Sequence, residues 1–185
     1  MRKFFAMIAL ALGVGCSPGA RSTVTSHDGV YTPQPTVLET KTWSIKFPPQ
    51  WDVKVTPTDE IKKDEIKVEV IAQTRKTYGS GPVVFAIASI DLTNVPEVTE
   101  GTFAGRYSDA IAADKNNLVI KSKPVIFDGA PSYLVFYVNK NTLANIVLIT
   151  DKSRVGYVLR CTGDTEHVDA YAPMCGNVIG SFSMK

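Results

Sequence analysis

From Leu38 to Phe47 apolar and polar side chains alternate, with Trp43, Ile45 and Phe47 on one side and Thr42, Ser44 and Lys46 on the other. A period of two is that of a half-buried β-strand. Pro48-Pro49 predicts its end, because proline cannot donate to a ladder. Trp51, Val53 and Val55 resume the alternation in a second short strand, and the polar stretch from Thr56 to Asp64 predicts a loop or one helical turn. Alternation returns at Ile66, Val68, Val70 and Ala72. The Tyr78-Gly79-Ser80-Gly81-Pro82 sequence is a turn, and Val83 to Leu92 completes a hairpin.

The period then changes. Phe103, Tyr107, Ala110, Ile111 and Asp114 fall at helical spacing between Pro96 and Asn117, with Thr99 or Thr102 as N-cap candidates. Gly101 and Gly105 each weaken a helix by about 1 kcal/mol relative to alanine, which favours a start at Thr102. Four β-rich runs follow, Leu118–Phe127, Tyr133–Val138, Leu143–Thr150 and Val155–Cys161, joined by short turns that include Asp128-Gly129. That is the pattern of an antiparallel meander. Ile146-Val147-Leu148-Ile149 is apolar without interruption, as in a strand covered on both faces. A short polar loop after Cys161 leads to a closing helix with Val168, Tyr171, Cys175, Val178 and Phe182 in one stripe. Asp164 or Thr165 is placed to cap it, and Pro173 predicts either a kink or a regular helix that starts just before it. The expected class is α+β, an antiparallel sheet of six to seven strands flanked by helices.

The N-terminus changes the cellular setting. Met1-Arg2-Lys3 is a positive n-region, and the 11 residues Phe4 to Val14 are apolar or glycine. A bilayer-spanning helix needs about 20 such residues, so residues 1–15 are expected to be a signal peptide. Leu12-Gly13-Val14-Gly15-Cys16 resembles a bacterial lipobox, with Gly13 where leucine is usual, and implies lipidation of Cys16. The alternative is an ordinary secretory signal cut near Ala20. Ser17 stands where an aspartate would retain an enteric lipoprotein at the inner membrane, which implies the outer membrane, facing the periplasm. Residues 16–36, rich in Ser, Thr, Pro and Gly, read as a flexible tether, and residues 37–185 as one α/β domain.

Three cysteines leave Cys161 and Cys175 once Cys16 carries lipid. In an oxidising envelope, two cysteines at element ends are expected to pair as a disulfide. The competing reading, a reactive thiol, needs His167 beside it. Asp164-Thr165-Glu166-His167-Val168-Asp169 offers carboxylates and an imidazole, but the same residue types suit a helix N-terminus, so no metal is expected. Gly79-Ser80-Gly81 lacks the Lys-Ser/Thr of a phosphate loop. Trp43 and Trp51 bracket a Pro-Pro corner, where filling a core competes with stacking on a ligand. No catalytic residue and no cofactor is expected. A net charge of +2, with no basic run longer than two residues, argues against nucleic acid.

The stretch Trp43-Ser44-Ile45-Lys46-Phe47-Pro48-Pro49-Gln50-Trp51 resembles the start of domains in the PsbP, Mog and DcrB superfamily. The order hairpin, helix, meander with an Asp-Gly turn and C-terminal helix ending Ile179-Gly180-Ser181-Phe182 agrees with it. The resemblance covers Trp43 to Phe182 and implies an α/β/α sandwich. It implies action by binding, as PsbP supports photosystem II and Mog-type proteins bind a small GTPase. No partner-contacting residue of either matches this chain, so neither partner carries over. The expectation is a lipid-anchored envelope protein, held to the membrane by its N-terminal lipid. Its non-enzymatic domain would bind an envelope protein and support assembly or stability of a membrane-associated complex. The alternatives are a small-ligand-binding lipoprotein with a pocket between sheet and helix, or a hydrolase built on His167 and nearby carboxylates.

Overall fold

The structure is a computed structural model that describes residues 34–55, 67–95, 97–99, 101–140 and 142–185. The leader, Cys16, most of the tether and the Thr56–Asp64 loop lie outside these residues. The compact unit spans Pro35–Lys185, two residues before the expected start at Val37, and holds every described element.

The strands are β1 (Thr36–Glu39), β2 (Trp43–Phe47), β3 (Trp51–Val55), β4 (Lys67–Tyr78), β5 (Gly81–Asp91), β6 (Asn117–Phe127), β7 (Ala130–Asn139), β8 (Leu143–Lys152), β9 (Val155–Asp164) and β10 (Ser183–Met184). Helix α1 (Phe103–Ala113) lies between β5 and β6, and α2 (Val168–Gly180) between β9 and β10. Seven strands form one antiparallel sheet in the order β3-β4-β5-β9-β8-β7-β6, and β1-β2-β10 form a small second sheet. Strand β9 pairs with β5 as well as with β8, which places the last strand of the main sheet at its centre.

The alternation read from the sequence sorts into two cores, one on each face of the large sheet. Phe85, Ile87, Leu148, Leu159 and Cys161 point to the face covered by α2 and the small sheet. Ile90, Val135, Val147, Ile149 and Val158 point to the face covered by α1 through Phe103, Ala104 and Ile111. The chain is therefore a layered α+β domain, with seven strands in its main sheet. Both helices seat an aromatic ring on a glycine of β9. A Cβ on Gly156 would lie 2.7 Å from the Phe103 ring, and one on Gly163 would lie 2.7 Å from the Tyr171 ring. No real Cβ contact is that short, so glycine at both places sets how closely the helices approach.

Several expectations change. Leu38–Phe47 is two strands, because Thr40 breaks the run: its hydroxyl bonds both the amide and the carbonyl of Trp43 and turns the chain into a hairpin. The polar loop expected after Cys161 is strand through Asp164, followed by a single 3-10 turn at Thr165–His167. Asp164 caps that turn and not α2, whose N-cap position is His167. Pro173 lies inside α2, five residues after its start, beyond the first turn where proline is tolerated. Thr102 is the N-cap residue of α1, but its hydroxyl bonds Thr99 and not the helix amides.

The β8–β9 hairpin turns through Ser153 and Arg154, both at positive φ without glycine. Arg154 there sends its guanidinium to the carbonyls of Leu92, Thr93, Val95 and Val98. It thereby pins the segment that delivers the chain to α1.

Candidate functional site

Three pieces that the sequence singled out separately meet at one corner. The β4–β5 turn supplies Ser80, the end of β9 supplies Asp164 and the following 3-10 turn supplies His167. Asp164 Oδ2 accepts from the Ser80 amide at 3.1 Å and the Ser80 hydroxyl at 2.9 Å. Its Oδ1 accepts from the Glu166 amide at 2.9 Å, with His167 Nδ1 at 3.6 Å. Gly79, at φ +66°, lets the turn close, since a Cβ there would lie 2.6 Å from His167 Nδ1.

In a Ser-His-Asp acyl-transfer site the imidazole stands between hydroxyl and carboxylate, where it takes the hydroxyl proton. Here the carboxylate stands in the middle. The Ser80 hydroxyl donates to Asp164, and His167 Nδ1 stands 3.6 Å from the other oxygen of the same carboxylate. The corner fastens the hairpin turn to the start of the C-terminal helical segment. Cys161 and Cys175 are joined as a disulfide with both residues fully buried, and this second fastening ties α2 to the middle of β9. Among the described residues no group of three His, Cys, Asp or Glu side chains is placed to hold a metal ion.

The corner has a signature in acid. The Asp164 carboxyl is held down at about 2, first by the Glu166 amide, then by the Ser80 hydroxyl and amide, with His167 adding a smaller share. A carboxyl with a depressed folded value stabilises the fold above its unfolded value near 3.9, and that contribution is lost as pH falls toward 2. Asp164→Asn is therefore expected to melt lower than wild type at pH 6 and to lose less on going from pH 5 to pH 2. Parallel thermal melts across that range check this.

A second polar cluster was not legible in the sequence. Glu69 is the extra residue of a β-bulge in β4, between Val68 and Val70. Its carboxylate, largely buried, accepts from the Trp43 indole N–H and from the Ser89 hydroxyl at 2.6 Å, with Lys67 Nζ at 3.5 Å. Trp43 belongs to the small sheet and Ser89 to the large one, so Glu69 links the two. Trp43 and Trp51 are 1% and 2% exposed, and both fill the core.

No protein-family model matches the chain, and no curated protein matches it in sequence. Solved structures do match in shape. The solution structure of cyanobacterial PsbP (CyanoP) from Synechocystis sp. PCC 6803 superposes with a TM-score of 0.54 at 16% identity, covering 88% of this chain and 99% of that one. The domain has the PsbP-like fold. LpqN, involved in cell envelope biogenesis of Mycobacterium tuberculosis, gives 0.53 at 5% identity, over 82% of this chain and 91% of that one. PA94, a protein of unknown function from Pseudomonas aeruginosa, gives 0.52 at 11% identity, over 80% and 94%.

In this PsbP-like domain the α1 side of the main sheet is unevenly covered. Helix α1 rests on β6, β7 and β8. Val68, Ile71 and Val84, on the same side of β4 and β5, are only half-buried and belong to neither core. Among the described residues no helix is long and apolar enough to cross a membrane.

Proposed function

We propose that this chain is an exported lipoprotein, anchored through lipid on Cys16 in the bacterial cell envelope, at the outer membrane facing the periplasm. Its PsbP-like domain acts by binding a protein and supports the assembly or stability of a membrane-associated complex. The observation that carries the non-enzymatic reading is the Asp164 corner. Its serine, carboxylate and histidine stand in the order that fastens a turn and keeps the imidazole away from the hydroxyl. The half-open apolar face at Val68, Ile71 and Val84 offers a protein partner a surface that no core residue occupies. Two likenesses support an envelope role: one to a PsbP, the other to a protein involved in cell envelope biogenesis.

In-cell crosslinking followed by pulldown tests the binding role. A defined partner is expected with wild type and is lost with Ile71→Glu, while the melting temperature of the variant stays within about 2 °C, as for a substitution outside the core. Turnover of a substrate that His167→Ala abolishes would overturn it. Palmitate labelling tests the anchor, and labelling that persists in Cys16→Ser would reject it.

A further inference from the structure

Among the described residues strand β6 is one of the two edges of the main sheet, β3 being the other, and it is unusually greasy and basic for an edge. Among the described residues five large apolar side chains are strongly exposed, and three lie on this one strand: Leu118 (65%) and Ile120 (54%) near its start, which begin the patch, and Ile126 (74%) on the opposite face of the sheet from Leu118. From Lys115 to Phe127 there are three lysines and no acidic residue, in a chain whose net charge is only +2. The patch continues onto the sheet. Leu134, Phe136 and Val138 of β7 stand opposite Lys123, Lys121 and Leu118, are half-buried, and belong to neither core. Helix α2, which covers that side of the sheet, lies on β8 and β9.

What can cover such a surface is narrowed by its own features. An added strand is disfavoured, since the edge carries a bulge at Ile120, a proline at 124 and two lysines, the devices that keep sheet edges from pairing. A second copy meeting it about a two-fold axis would bring the same patch against itself, lysines facing lysines. An anionic lipid surface meets neither objection. Lysine stems lie along apolar ground while their ammonium groups reach headgroup phosphates, and isolated aliphatic side chains enter the acyl boundary.

We infer that the β6–β7 corner docks the folded domain on an anionic membrane surface. Leu118, Ile120 and Phe136 face the acyl boundary, and Lys121 and Lys123 face the phosphates. This goes beyond the proposed protein-binding role and does not depend on lipid at Cys16, so it is tested without the anchor.

The chain starting at Pro35 carries every described element, both cores and the disulfide, and is the form to use. It is sedimented with vesicles of phosphatidylcholine alone and with vesicles of phosphatidylcholine and phosphatidylglycerol in equal parts. Binding to the anionic vesicles only, reversed by salt, is expected. Each lysine near such a surface contributes about 1 kcal/mol, so Lys121→Gln with Lys123→Gln weakens binding about 25-fold. Leu118→Asp weakens it as well, and all three positions are exposed, so the melting temperature stays unchanged. Equal partition between the two vesicle types, or binding indifferent to the lysine pair, overturns the inference. So does self-association in the absence of vesicles that Leu118→Asp abolishes, which would assign the face to a second copy.

Discussion

Replacing both Cys161 and Cys175 with alanine is expected to lower the melting temperature by roughly 10 °C. The bridge closes a loop with a sequence separation of 14, and the chain-entropy model gives about 3 kcal/mol for a loop of that size. In a domain of this length each kcal/mol moves the midpoint by about 2–4 °C. The position of the bridge adds a local effect. Cys161 lies on the central strand β9 and Cys175 in the middle of α2, both without exposure, so the bridge holds α2 against the sheet where Tyr171 seats on Gly163. Without it, α2 keeps its apolar contacts, the Asp164 corner and the bonds between its C-cap residue Ser181 and the Lys46 backbone. The alanine pair serves better than a single Cys→Ser, which would leave one buried thiol facing a new hydroxyl. Wild type melted in strong reductant is expected to match the alanine pair. A reduced wild type that melts within about 2 °C of the oxidised form would show that packing alone holds the helix.

How much of this was readable beforehand depends on which interactions are local in sequence. The meander was legible because its turns announce themselves: Asp128-Gly129 takes positive φ at both residues, as a two-residue hairpin turn of this type requires. The apolar stripe on the last helix was legible because Tyr171, Cys175 and Val178 all face one core. What failed were features set by contacts between distant segments. Val68 and Val70 read as one face of one strand, yet the bulge at Glu69 sends Val68 to the opposite side of the sheet from Val70. Nothing in the local sequence marks that extra residue, because its reason is Trp43, 26 positions earlier. Strand β10 has no local signal for a similar reason. Two residues carry no period, and Ser183 and Met184 become a strand only because β2 is there to pair with them.

The candidate site follows the same division. Ser80, Asp164 and His167 each stand out in the sequence, but their order in space does not: the carboxylate, not the imidazole, sits in the middle. That order decides between a hydrolytic group and a structural corner, and it depends on where the β4–β5 turn lands relative to the end of β9. The basic, apolar edge at β6 could be read as a strand but not as an edge. Only the topology, with β9 inserted between β5 and β8, puts β6 at the end of the strand order, with no outer neighbour among the described residues.

Trp43→Ala is expected to be the most damaging single change, through two separate mechanisms. The indole is 1% exposed and packs beside Phe182 with ring centroids 6.0 Å apart. Removing a buried aromatic of that size costs about 3–5 kcal/mol in transfer and cavity terms. The Glu69 carboxylate also loses the indole N–H, and a largely buried acceptor stripped of a donor adds about 1–3 kcal/mol. Set against a stability of about 5–15 kcal/mol for a small domain, the sum brings the variant close to unfolding at 37 °C. Trp43→Phe separates the two parts, since it keeps most of the ring volume and removes only the donor. Adding Glu69→Gln to Trp43→Phe is then expected to cost much less than Glu69→Gln alone, because the partner whose bond it would weaken is already gone. Urea midpoints for the four proteins of that cycle measure the coupling. A coupling indistinguishable from zero would mean that Glu69 is satisfied by Ser89 and Lys67 without help, and that the two sheets are joined by packing only.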